Sequence, residues 1–156
     1  MSVIIQGDQI REIALGIHVQ KSVSPANATT NLFTVSGLVL VTGIVGLVTT
    51  VMSATVTSIN LNHDPTVGAA ANLCAATVIT SDTAGTLYGF IGTDITTLLV
   101  SSGTGAPSEA YTQLPAAKIV LNDGVVGQVG TAANTGVVAW HLTYVPISNG
   151  ASVVAA

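Results

Sequence analysis

Charged side chains are scarce in this sequence of 156 residues, which has three Lys or Arg and seven Asp or Glu. They make up 6% of the chain, against about 25% in an average soluble domain. The basic residues Arg11, Lys21 and Lys118 are scattered, whereas binding to a phosphate backbone requires clustered Lys and Arg. We therefore expect no nucleic acid partner.

Cysteine is nearly absent too, and the residues that carry chemistry do not cluster. Cys74 stands alone within "ANLCAATVI", which excludes a disulfide framework and predicts a small buried side chain. His18, His63 and His141 lie in separate segments without the close spacing of zinc ligands. His63 and Asp64 precede Pro65, which is typical of a turn. With no Gly-x-Ser-x-Gly or Walker pattern, we predict no enzyme, no cofactor and no metal site.

A long uncharged stretch raises the question of a membrane span. Residues 37–52 read "GLVLVTGIVGLVTTVM", and the surrounding window approaches the ~20 residues that a transmembrane helix needs. Its glycines and threonines are poor helix formers, and basic or aromatic flanks are missing. We predict no membrane partner, but strands at 31–37, 38–50 and 54–62. Near-continuous apolar runs predict strands that are buried on both faces, which indicates an oligomer.

The rest of the chain also favours β-structure, because β-branched residues suit a pleated sheet. We predict further strands near 71–80, 86–92 and 95–101, and hairpins at Asp123–Gly124 and Asn149–Gly150. Trp140 shares one face of its strand with Leu142 and Tyr144 and is predicted to anchor the core. The expected fold is all-β, either a jelly-roll or β-sandwich or a compact β-barrel.

The first residues differ from this body, and we divide the chain into an N-terminal arm at 1–29 and a β domain at 30–156. Ile10, Ile13, Ala14 and Ile17 have helical spacing. Ile17, Val19 and Val23 alternate with polar residues, which favours a strand or an extended arm equally. The polar segment 101–115 is a further candidate contact surface.

Three stretches of the sequence resemble a family of small virion proteins of tailed bacteriophages. They are "LFTVSGLVLVTGIVGLVTTVM", "DTAGTLYGFIGT" and "NTGVVAWHLTYVPISNGASVVAA", and the resemblance covers roughly 32–61, 82–93 and 134–156. The chain departs from the family pattern at Leu47, where Glu is common, and at His141, where Thr is common.

The resemblance implies a structural virion protein, a capsid decoration (cement) protein that binds the major capsid protein and stabilises the head. It also implies a homotrimer, made in the host cytoplasm and carried on the head surface. For the capsid contact we expect the arm residues Ile10, Ile13, Ile17 and Val19, and for the subunit contact Val39, Val41 and Val45. The alternatives are a phage tail or fibre component and a carbohydrate-binding β-sandwich that uses Tyr88, Tyr111 and Tyr144.

Overall fold

The computed structural model describes residues 7–92, 96–101 and 118–156. The candidate contact segment 101–115 therefore lies, apart from Ser101, outside the described residues. The elements are α1 Gly7–Leu15, β1 Ile17–Val23, β2 Thr29–Ser36, β3 Val39–Thr50, β4 Ser58–Pro65, β5 Ala71–Asn72, β6 Thr77–Val78, β7 Leu87–Gly89, β8 Leu99–Ser101, β9 Ile119–Leu121, β10 Gly124–Gly130, β11 Val137–Pro146 and β12 Ser152–Ala155.

These strands form two antiparallel sheets that pack face to face. The first sheet has the order β1-β11-β3-β7-β8, and β9 also pairs with β3. The second has the order β12-β2-β10-β4-β5, and β6 also pairs with β4. The predicted all-β sandwich is confirmed, and in the described part of the chain the sheets do not close into a barrel.

The core lies between the two sheets and is anchored by one tryptophan. Trp140 is fully buried, and Leu142 and Tyr144 are buried on the same face of β11, which confirms the predicted alternation. The indole Nε1 of Trp140 donates a hydrogen bond of 2.8 Å to Oε1 of Gln128 in the opposite sheet. A buried polar group needs such a partner, so this bond links the sheets at one register.

Most of the uncharged stretch forms β3, the longest of the described strands, in the middle of the first sheet. Val39, Val41, Ile44 and Val48 point into the core. The pairing with β11 shifts between Thr143 and Tyr144, a β-bulge that keeps inward residues inward on both sides of it. No helix among the described residues is long and apolar enough to cross a membrane.

Both predicted hairpins are wrong, because each turn carries the chain from one sheet to the other. Asp123–Gly124 joins β9 in the first sheet to β10 in the second. Asn149–Gly150 likewise joins β11 in the first sheet to β12 in the second. A Cβ on Gly124 would lie 2.6 Å from the Cα of Pro65, so this glycine is needed for close approach to β4 rather than for a two-residue turn.

Two other segments differ in detail from the sequence-based expectations, and in the N-terminal segment both of the open alternatives, a helix and a strand, occur. The predicted turn at His63 and Asp64 is instead part of β4, which continues to Pro65. The predicted strand at 71–80 is reduced to the short β5 and β6. Residues 7–23 form a helix followed by a strand, and β1 pairs with β11 at seven positions. The division of the chain at residue 29 stays a prediction.

Candidate contact surface

A groove lies on the outer face of the first sheet, beside helix α1. We call it the α1 groove, and its volume is about 330 Å³. Its lining residues come from the end of α1, the middle of β3 and β11, and the residue before β9: Ala14, Leu15, Thr42, Gly43, Val45, Lys118, His141 and Thr143. The lining combines apolar side chains with two hydroxyls, one imidazole and one ammonium group.

The groove depends on how α1 ends against the sheet. Gly16 has a φ of +90°, a left-handed conformation that commonly terminates a helix, and its N–H donates to the Glu12 carbonyl at 2.9 Å. The Thr42 hydroxyl donates to the Leu15 carbonyl at 2.8 Å, and the Thr42 and Thr143 hydroxyl oxygens are 2.9 Å apart. The bulged residues of β3 thus hold the helix end on the sheet.

An apolar row borders the groove on the same face. Val145 pairs with Leu40, and Leu40 pairs with Val120, so their side chains share one face of the sheet. Val145 is 41% exposed and Val120 is 53% exposed, while Leu40 is half-buried. We call these three residues the outer row. Large apolar side chains in a continuous row on an outer face are typical of interaction surfaces.

Two histidines stack at the edge of the groove. The His18 and His141 rings are 5.2 Å apart between centroids and inclined by 13°. Nε2 of His18 lies 2.9 Å from Nδ1 of His141. Burial lowers the pKa of His141 because it disfavours the charged imidazole, and the electrostatic effect of the nearby His18 lowers it further.

The structure disperses the residues predicted to contact partners. Ile10 is exposed on α1, and Ile17 is exposed at the start of β1. Val19 is half-buried against the core. The side chain of Ile13 is not among those that the structure describes. Val39 and Val41 are fully buried in the chain's own core, so their side chains do not reach an outer surface. Val45 lines the α1 groove. Of the six whose side chains are described, Val45 is the one that lines this groove.

The sequence analysis missed the outer row, although a signal for it was present. Val39 and Leu40 are consecutive in a strand, so only one of them can face the core. Assigning Val39 inward would have assigned Leu40 outward. Its partners Val120 and Val145 are distant in sequence, and only the register of the sheet brings them together.

The other perturbed groups lie in the interior, away from the groove. Burial lowers the pKa of His63, although a hydrogen bond with the Asn122 carbonyl and the charge of Asp64 oppose that effect. Burial also raises the pKa of the Cys74 thiol, against a hydrogen bond from the Leu61 N–H. The pKa of Tyr88 is raised by burial and by its bond to Asp82. Within the described residues, no group of three or more potential metal ligands occurs.

The tyrosines considered for carbohydrate binding do not form an exposed platform. Tyr88 and Tyr144 are both buried, and Tyr111 lies outside the described residues. Stacking on a sugar requires an accessible ring face. Neither described tyrosine provides one.

Comparison with protein-family models, curated proteins and solved structures finds no match to this chain.

Proposed function

We propose that this protein is a structural, self-associating component of a bacteriophage particle, a decoration protein that binds the major capsid protein on the head. The observation that carries the proposal is the outer row beside the α1 groove, on a chain with few charges. Interface cores are depleted in charged residues and enriched in apolar ones. The sequence resemblance to small virion proteins supplies the class of particle.

The second copy of the chain is the occupant that we assign to the outer row. Val120 and Val145 expose apolar surface, and a matching row on another subunit would remove both surfaces from water. One self-complementary patch closes a two-fold dimer, whereas in a trimer the outer rows of all three subunits would have to meet around the three-fold axis. A trimer is the form that the resemblance implies.

Helix α1 is the element that we assign to the capsid contact. It has nine residues, and isolated helices of this length are marginal in water. Ile10 and Leu15 on it are 56% and 58% exposed. A partner that covers these side chains would stabilise the helix, which fits the arm predicted from the sequence.

The experiment measures self-association and capsid binding together. Sedimentation velocity should show a discrete oligomer for the wild-type chain, which should also co-sediment with expanded heads of a tailed phage. Val120→Lys or Val145→Lys should give a folded monomer with weakened head binding, because a buried unpaired charge is costly.

Val154→Lys is the matched control, since Val154 is 55% exposed on the other sheet. It should leave both readouts unchanged. A wild-type chain that stays monomeric and does not bind heads would overturn the proposal. A loss of association in Val154→Lys equal to that in Val120→Lys would remove the outer row as the interface.

A further inference from the structure

The two stacked histidines are brought together by strand pairing alone. His18 lies opposite Thr143, and His141 lies opposite Gln20. The two imidazoles therefore occupy diagonal positions on the outer face of neighbouring strands, a separation that long side chains can span. The two residues are 123 positions apart in sequence.

The two facing nitrogens are hydrogen-bonded to each other in this structure, and their separation is also short enough for both to bind one metal ion. With metal–nitrogen bonds of about 2.0–2.1 Å, the observed 2.9 Å between Nε2 of His18 and Nδ1 of His141 subtends an angle of about 90°. A tetrahedral ion such as Zn²⁺ would hold two such nitrogens at about 3.3 Å. An angle near 90° suits the tetragonal geometry of Cu²⁺ or Ni²⁺.

The surroundings leave room to complete the coordination. His18 is exposed and His141 is half-buried beside the α1 groove, so water can supply the remaining ligands. None of the lining residues of the groove is a carboxylate, and Lys118 adds a positive charge. A neutral two-imidazole site of this kind favours the ion with the highest intrinsic affinity for nitrogen, which is Cu²⁺.

We propose that His18 and His141 form a bidentate transition-metal site that prefers Cu²⁺. The ion replaces the hydrogen bond between the two rings: the donor ring moves its N–H proton to its other nitrogen, so both imidazoles bind in the neutral form and no net proton is lost. The bound metal cross-links β1 to β11 and so fastens the edge strand that follows α1. This site is independent of the proposed function.

The test is a titration of the folded chain with Cu²⁺, followed by electron paramagnetic resonance. One equivalent should give an axial spectrum, and spin-echo modulation should show the remote nitrogens of two imidazoles. His18→Gln and His141→Gln should each reduce the signal to one imidazole or none. Each should also weaken binding at least about 10-fold, the smallest loss typical of removing even a supporting outer-shell group.

His63→Gln is the matched control, because His63 is buried in β4 of the second sheet, whereas the histidine pair lies on β1 and β11 of the first sheet. It should keep the two-imidazole spectrum, and circular dichroism shows whether each variant is folded. If His63→Gln unfolds, the double variant His18→Gln/His141→Gln shows how much Cu²⁺ the rest of the chain binds. A wild-type spectrum without two imidazoles, or one that persists in the double variant, would overturn the proposal.

Discussion

At the scale of single residues, the hydrogen bond between Trp140 and Gln128 is a buried polar contact between the two sheets. Both side chains are fully buried, and the indole N–H can only donate, so Oε1 of Gln128 must face it. Among the described residues, Nε2 of Gln128 has no hydrogen-bond partner. The Gln128 amide therefore makes one hydrogen bond through its oxygen and leaves both N–H donors of its nitrogen unpaired in the core, so it contributes more to the specificity of the packing than to stability.

A double-mutant cycle tests this assignment. Gln128→Met leaves the indole N–H unpaired and should lower the free energy of unfolding by about 1–3 kcal/mol. Trp140→Phe removes the donor and leaves a cavity, so it should also destabilise. The double variant should be less destabilised than the sum of the singles by about 0.5–3 kcal/mol. Urea unfolding followed by circular dichroism measures all three, and strict additivity would contradict a coupled pair.

At the scale of elements, the sequence predicted which segments are strands better than it predicted how they pair. The apolar run at 38–50 had to be buried, and it forms β3. The Asp-Gly and Asn-Gly signals mark places where one strand ends and the next begins, but the next strand can belong to either sheet. The residues of the turn do not determine which sheet the chain enters, because that depends on which distant strand is available for pairing.

The same limit explains the candidate site. The sequence of β3 was enough to select Val45 as a candidate contact residue, but it did not indicate which residues surround Val45. The α1 groove combines α1, β3 and β11, and the histidine pair depends on the register between β1 and β11. Register is fixed by long-range packing, so the sequence alone did not indicate that these residues lie close together.

The junction between α1 and β1 gives an element-scale prediction. A Cβ on Gly16 would overlap the Tyr144 carbonyl oxygen, and the residue also has positive φ. Gly16→Ala should therefore detach the helix end from the sheet and lower the free energy of unfolding by more than the about 1–2 kcal/mol of left-handed strain alone. Chemical denaturation measures the loss, and helix detachment should appear as faster exchange of the amide of residue 16 in the variant than in the wild type, because this amide donates to the Glu12 carbonyl at the helix end.

Two other glycines separate the causes of that loss. Gly85 has a φ of +91° with nothing within 4 Å of an added Cβ, so Gly85→Ala reports the backbone strain alone. Gly7, at the start of the same helix, also has open space and no positive φ. Gly7→Ala should be close to neutral. Equal losses in Gly16→Ala and Gly85→Ala would show that contact with Tyr144 contributes nothing.

At the scale of the whole molecule, the question is whether the two sheets unfold as one unit. The described strands alternate repeatedly between the two sheets along the chain, and these crossings together with the shared core predict a single cooperative transition. The chain has one Trp and one Cys, and they report on different sheets. Trp140 lies in β11 of the first sheet, whereas Cys74 is buried and its Sγ accepts a hydrogen bond of 3.2 Å from the Leu61 N–H in β4 of the second.

The final prediction is that these two probes give the same unfolding curve. Trp140 fluorescence and pulsed thiol labelling of Cys74 should share one urea midpoint and one slope, because burial protects the thiol until the core opens. Val138→Ala, a core change in the first sheet, should shift both curves by the same free energy, since cooperative unfolding transmits the loss across the sandwich. Cys74→Ser supplies the labelling blank. Labelling at lower urea than the fluorescence change would mean that the second sheet opens by itself.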